Sequence, residues 1–138
     1  MKKMKKIGLS AGLLAVLFST GAIESEAYSD SFSNVYYHSS PYDFTPKASK
    51  YTASSYGIYT NSMNSNRGSI HMWPRANKEA VVPQGWSDMR QTLGKQTIIN
   101  LAYERKGYGC SADIQFKLDT VPWDGARSTS SGTWQPDI

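Results

Sequence analysis

The 138-residue chain holds one cysteine, Cys110, within KGYGCSADIQFKLD, and a lone thiol admits three chemistries. As a thiolate whose pKa is lowered by a neighbouring cation, it would be a nucleophile or redox sensor. As half of an intermolecular disulfide, it would join two chains into a dimer. As a small apolar side chain, it would only pack. Alternation in SADIQFKLD puts Cys110 on the inward side of a strand, which favours packing. A cysteine hydrolase would also need a base, and the only histidines are His38 and His71, neither within a local motif. One Cys, two distant His and scattered carboxylates give no HExxH, CxxC or EF-hand spacing. Phosphate-loop and dinucleotide fingerprints and a GxSxG elbow are absent as well. No catalytic, metal or cofactor site is therefore expected, and the chain reads as a non-enzyme.

The tryptophans are the other candidates. Trp73, Trp86, Trp123 and Trp134 each lie within two residues of a Pro or Gly, in MWPR, PQGWSD, VPWDG and SGTWQPD. Rings on such loops can stack on sugars or sit at a membrane interface. The plainer alternative is that they close the open ends of a small β-sandwich short of aliphatic residues. These four are carried forward as possible ligand-contact aromatics, alongside Cys110 as a possible reactive or crosslinking thiol.

Strands must position these residues, because no segment keeps a helical apolar period beyond about two turns. SADIQFKLD alternates fully, with Ala112, Ile114, Phe116 and Leu118 inward and Asp113, Gln115, Lys117 and Asp119 outward. In QTIINLAYER, Ile99, Leu101 and Tyr103 share a face. With Gly107 and Gly109 between them, the two segments read as an antiparallel hairpin. The register that avoids setting Glu104 against Asp113 pairs Tyr103 with Ala112, Leu101 with Ile114 and Ile99 with Phe116. It also sets Arg105 opposite Cys110. Further upstream, SIHMWPRA alternates until Pro74, and Pro46 confines YDFTPKAS to an edge or a bulge. Residues 28–41 are Ser/Tyr-rich without a period and read as a flexible arm or a poorly paired first strand.

The N-terminus sets the compartment. MKKMKK, then the apolar run from Ile7 to Ala22, then Ser25 and Ala27 at small-x-small positions describe a secretory signal peptide over residues 1–27. Cleavage is expected after Ala27, with Ala22 as the alternative. The apolar run falls short of the ~20 residues a membrane span needs, so no stable membrane insertion is expected. Four of the 15 Lys+Arg and two of the 11 Asp+Glu lie in this segment, leaving 11 against 9. That near balance, without a basic run, gives no reason to expect a nucleic-acid partner. Core material is thin in aliphatics, and nine Tyr and four Trp supply the large buried areas instead.

The export signal, MRQT (Met89–Thr92), TIINLAYERKGYGCSADIQFKL and the terminal SGTWQPD resemble an uncharacterised family of small secreted proteins from Gram-positive bacteria. In that family an R-Q-T stretch precedes a paired-strand region and a Gly–Trp strand closes the chain. The similarity covers roughly residues 90–137 and implies no activity or catalytic residues. More distantly, the layout is similar to lactococcin-type secreted bacteriocins, small β-sandwiches rich in Tyr, Trp, Ser and Gly.

The expectation is an all-β protein, a small antiparallel β-sandwich of about six strands. It follows a cleaved signal peptide (1–27) and an N-terminal arm (28–41), with a single β domain over 42–138. Its expected role is that of a secreted, non-enzymatic protein, extracellular or held at the cell surface. Its partner would be a cell-wall glycan or a surface protein, and the alternative is a bacteriocin-like antagonist of related bacteria.

Overall fold

The computed structural model describes residues 28–65, 68–86, 88–119 and 127–138. The expected signal peptide, and Trp123 with its VPWDG context, lie outside them. Two antiparallel sheets pack together, giving the all-β sandwich architecture that alternation implied. The strands are shorter and more numerous than about six: among the described residues there are ten, with one short helix.

The first sheet runs in the order β1 (Asp30–Tyr36), β10 (Ser128–Gln135), β4 (Tyr56–Asn64), β8 (Gly94–Ile98). The second runs β2 (Tyr42–Phe44), β9 (Cys110–Asp119), β5 (Ser69–Ala76), β6 (Glu79–Ala80), with β3 (Ala48–Lys50) also on β9 and β7 (Met89–Arg90) also on β5. The core lies between the sheets. Ile70, Met72 and Ala76 from β5 and Ile114, Phe116 and Leu118 from β9 meet Phe32, Tyr36, Tyr56, Ile58 and Trp134 from the first sheet. Rings replace the missing aliphatics: Phe32 stacks on Phe116 at 5.4 Å, and Tyr56 meets Trp134 edge-on at 5.5 Å.

Where a flexible arm was expected, β1 pairs with β10 over all seven of its residues. The alternation was hidden because a buried position is polar. Phe32, Asn34 and Tyr36 point inward, with Asn34 Nδ2 donating to Tyr36 Oη (3.0 Å), itself 3.0 Å from Ser130 Oγ.

The expected hairpin does not form, and the register drawn for it falls with it. Strand β8 ends at Ile98, and Ala102–Lys106 is helix α1. Inward residues here are Ile98, Asn100 and Ala102 rather than Ile99, Leu101 and Tyr103. The cause is local: Asn100 Oδ1 accepts from the Ala102 amide at 3.0 Å, and good helix formers follow. Gly107 and Gly109, at φ +88° and +81°, turn the chain from helix to strand rather than strand to strand. Strand β9 instead pairs with β5, setting Ala76 opposite Ala112 and Met72 opposite Phe116.

Pro74 sits inside β5 without breaking it. Its partner Ile114 directs its N–H and C=O to Thr45, 3.0 Å each, while the Pro74 carbonyl accepts from the Val81 amide at 3.0 Å. Pro74 and Ile114 are thus a non-hydrogen-bonded pair, and the absent N–H removes no rung of their ladder. Pro46 occupies the interruption between β2 and β3 on the sheet edge, where its composition placed it.

Candidate functional site

The outer face of the second sheet gathers aromatic and polar side chains from three strands. Strand β5 alternates, so His71, Trp73 and Arg75 point away from the core. Across the ladder Trp73 stands beside Gln115, and on the far side of Gln115 stands Phe44. The next row is His71, Lys117 and Tyr42, with Arg90 of β7 completing it. Directly opposed residues share a face, so these rows form one surface. Two strand spacings put the outer rings of a row about 10 Å apart, the reach of a disaccharide. Tyr42 and Phe44 are 46% and 38% exposed, while Trp73 is half-buried.

Charges hold this surface in shape. Arg75 donates two hydrogen bonds to Asp113, Nε to Oδ1 at 2.9 Å and Nη2 to Oδ2 at 2.8 Å. This fork-to-fork geometry fixes both partners. It also explains why Asp113, on the outer face as its parity required, is nonetheless buried. The guanidinium lies 4.4 Å from the centre of the Phe44 ring, and the Lys117 ammonium 5.8 Å from that of Tyr42.

His71 lies among a hydroxyl and two carboxylates on this surface. Its Nε2 lies 3.1 Å from Ser69 Oγ and 3.8 Å from an Asp119 oxygen, and its Nδ1 lies 3.3 Å from Asp88 Oδ2. Hydroxyl, imidazole and carboxylate fall in the order of a nucleophile relay. They sit on an open sheet face, however, and Asp119 competes with Ser69 for the same nitrogen. Asp88 lies beside the ring without a hydrogen bond to Nδ1, so the relay is not connected. His38 lies on the exposed turn after β1, well apart in the chain from either cysteine or relay.

The other expected site residues are dispersed. Trp134 is fully buried in the core, and Trp86 is 39% exposed on the turn where its amide bonds the Pro83 carbonyl at 3.0 Å. Among the described residues, Trp134 lies inside the core while Trp73 and Trp86 lie outside it, so the three form no single face. Sequence reasoning had Trp73 but missed Tyr42 and Phe44, although aromatics two apart on a short edge strand were a visible sign. Nothing local announced that β9 would lie between them and Trp73.

Cys110 is 6% exposed, and its thiol donates a weak bond to the Ala102 carbonyl at 3.8 Å. Arg105 does not face it: that residue is exposed on α1, and Lys50 of β3 stands opposite instead. Burial pushes the thiol pKa up, with the Lys50 and Lys106 charges opposing only in part. We expect a maleimide or aromatic disulfide reagent to label the folded protein far more slowly than the urea-unfolded one. Equal rates in the two states would contradict this burial. Among the described residues no group of three or more His, Cys, Asp or Glu side chains is placed to hold a metal ion, and no helix is long and apolar enough to cross a membrane.

In the comparisons with known proteins, no family model matches this chain, and neither a curated protein nor a solved structure matches it.

Proposed function

We propose that this is a secreted, non-enzymatic binding protein that docks saccharide at the cell envelope through the outer face of its second sheet. The observation that carries the reading is the row Phe44–Gln115–Trp73 beside Tyr42–Lys117–His71. Sugar rings present apolar C–H faces and a rim of hydroxyls. Aromatic rings accept the first, and the Gln115 amide and Lys117 ammonium between them accept the second. Strands β9 and β5 are paired on both sides, so a peptide cannot add by backbone pairing at the centre of this surface. Two exposed rings and a half-buried one on one sheet face are also a patch that a chain so poor in apolar residues would otherwise bury.

Titration with a soluble cell-wall glycan fragment tests the reading through tryptophan fluorescence. Trp73 should report binding, and Trp73→Ala should weaken it by about tenfold, a loss of about 1.4 kcal/mol. Because Trp73 faces outward and is only half-buried, that variant should lose only about 1–2 kcal/mol of stability and stay folded. Unchanged affinity in a folded Trp73→Ala protein would remove the surface from the reading.

A further inference from the structure

The first sheet carries a cleft on its own outer face. Strand β4 lies between β10 and β8, and on the side away from the core Tyr59 stands between Thr133 and Lys95. One row along, Gly57 stands between Gln135 and Thr97. Gly57 adds no side chain of its own, Ile138 lies over it, and a cleft of ≈ 340 Å³ is bordered by these residues and Ile138. That volume is at the low end of the about 300–1,000 Å³ typical of small-ligand sites. Ile138 overhangs the gap: a Cβ on Gly57 would come 2.6 Å from Ile138 Cγ2 and 3.3 Å from Gln135 Oε1.

The lining specifies a chemistry. One half-exposed ring, Tyr59 at 50%, forms a wall against which a flat apolar face can stack. Thr97 and Thr133 supply hydroxyls, Gln135 an amide, and Lys95 a charged side chain. Backbone pairing on both sides of β4 and β10 likewise keeps a peptide from adding at those two strands. A hydroxylated ring carrying an amide substituent finds a partner for each of its groups among these side chains. We propose that the Gly57 cleft is a second saccharide subsite. Because the two sheets pack face to face, their outer faces look in opposite directions. With the site already proposed on the other face, on which this bridging role rests, the domain joins two glycan chains.

The test is a titration of the folded protein with a β-1,4-linked N-acetylglucosamine tetrasaccharide, followed by amide and indole resonances. Two separate sets should move: the amides around Gly57, Lys95–Thr97 and Thr133–Gln135, and the Trp73 indole with its neighbours. Gly57→Val collides with the half-exposed Ile138 side chain and displaces this wall of the cleft, and it should abolish the first set alone. Tyr59→Ala, which adds no bulk, should weaken the same set. Trp73→Ala should abolish only the second. Motionless amides around Gly57 at saturating sugar would overturn the cleft, and so would shifts there that survive both variants. If the cleft set moves while the Trp73 set does not, the subsite stands and the bridging role falls.

Discussion

Replacing Lys50 with alanine should lower stability by about 3–5 kcal/mol, the cost of breaking a buried ion pair from one side. The side chain is fully buried. Its ammonium donates to the Ser54 carbonyl (2.6 Å), the Pro136 carbonyl (2.6 Å) and Asp137 Oδ1 (3.0 Å), and lies 5.1 Å from the centre of the Tyr56 ring. Asp137 in turn accepts from the Tyr51 amide at 2.9 Å, the Thr52 amide at 3.1 Å and the Thr52 hydroxyl at 2.8 Å. One lysine thus ties the segment after β3 to the segment after β10, and its removal leaves two carbonyls and a carboxylate without their cation. With a urea dependence of about 1–3 kcal/mol per molar, the unfolding midpoint should fall by at least about 1 M. A midpoint within experimental scatter of the parent would contradict this role.

The same knot gives a pH signature. Burial by itself would raise the Asp137 pKa, but the Tyr51 amide, the Lys50 ammonium and the Thr52 hydroxyl outweigh it and hold the carboxyl below its ordinary 3.8. A lowered folded-state value means that the unfolded chain binds the proton first. The stabilisation is therefore fully present above the unfolded value and is lost as pH falls through the folded one. Urea midpoints should hold from neutrality down to about pH 4 and drop below it. Asp137→Asn should remove its share of that drop.

Trp134→Ala should cost a comparable about 3–5 kcal/mol, the range for emptying a large aromatic site in a core. Trp134 is wholly buried and meets Tyr56 edge-on, and β10 holds it between β1 and β4. The contrast with Trp73 makes the experiment informative. The same substitution should unfold the protein readily at position 134, and at position 73 should shift the melting curve far less while removing ligand. Equal stabilities for the two variants would mean that their placement inside and outside the sandwich is wrong.

Much of the framework was legible in the sequence because alternation is a local property. SADIQFKLD and SIHMWPRA declared their inner faces, and with them the buried Cys110. Where polar residues take inner positions the pattern fails: Asn34 disguised β1, and Asn100 shifted the inward set by one residue, so that Ile98 rather than Ile99 is buried. Successive segments usually pair, yet β8 and β9 belong to different sheets, and no short-range signal marks that crossing. A fully buried lysine is equally silent in sequence, since lysines are rarely inside without a partner supplied from afar. Trp73 was visible as an aromatic beside a proline. Its companions Tyr42 and Phe44 reach it only through β9, across a separation that periodicity cannot bridge.

Co-sedimentation with protease-stripped cell-wall fragments tests the envelope-binding surface most directly. Stripping removes surface proteins and leaves glycan, so the two kinds of partner are separated from the start. The parent protein should sediment with the fragments, and a folded variant carrying both Tyr42→Ala and Trp73→Ala should remain in the supernatant. Failure of the parent to bind, or equal binding by the double variant, would contradict the assignment of that surface.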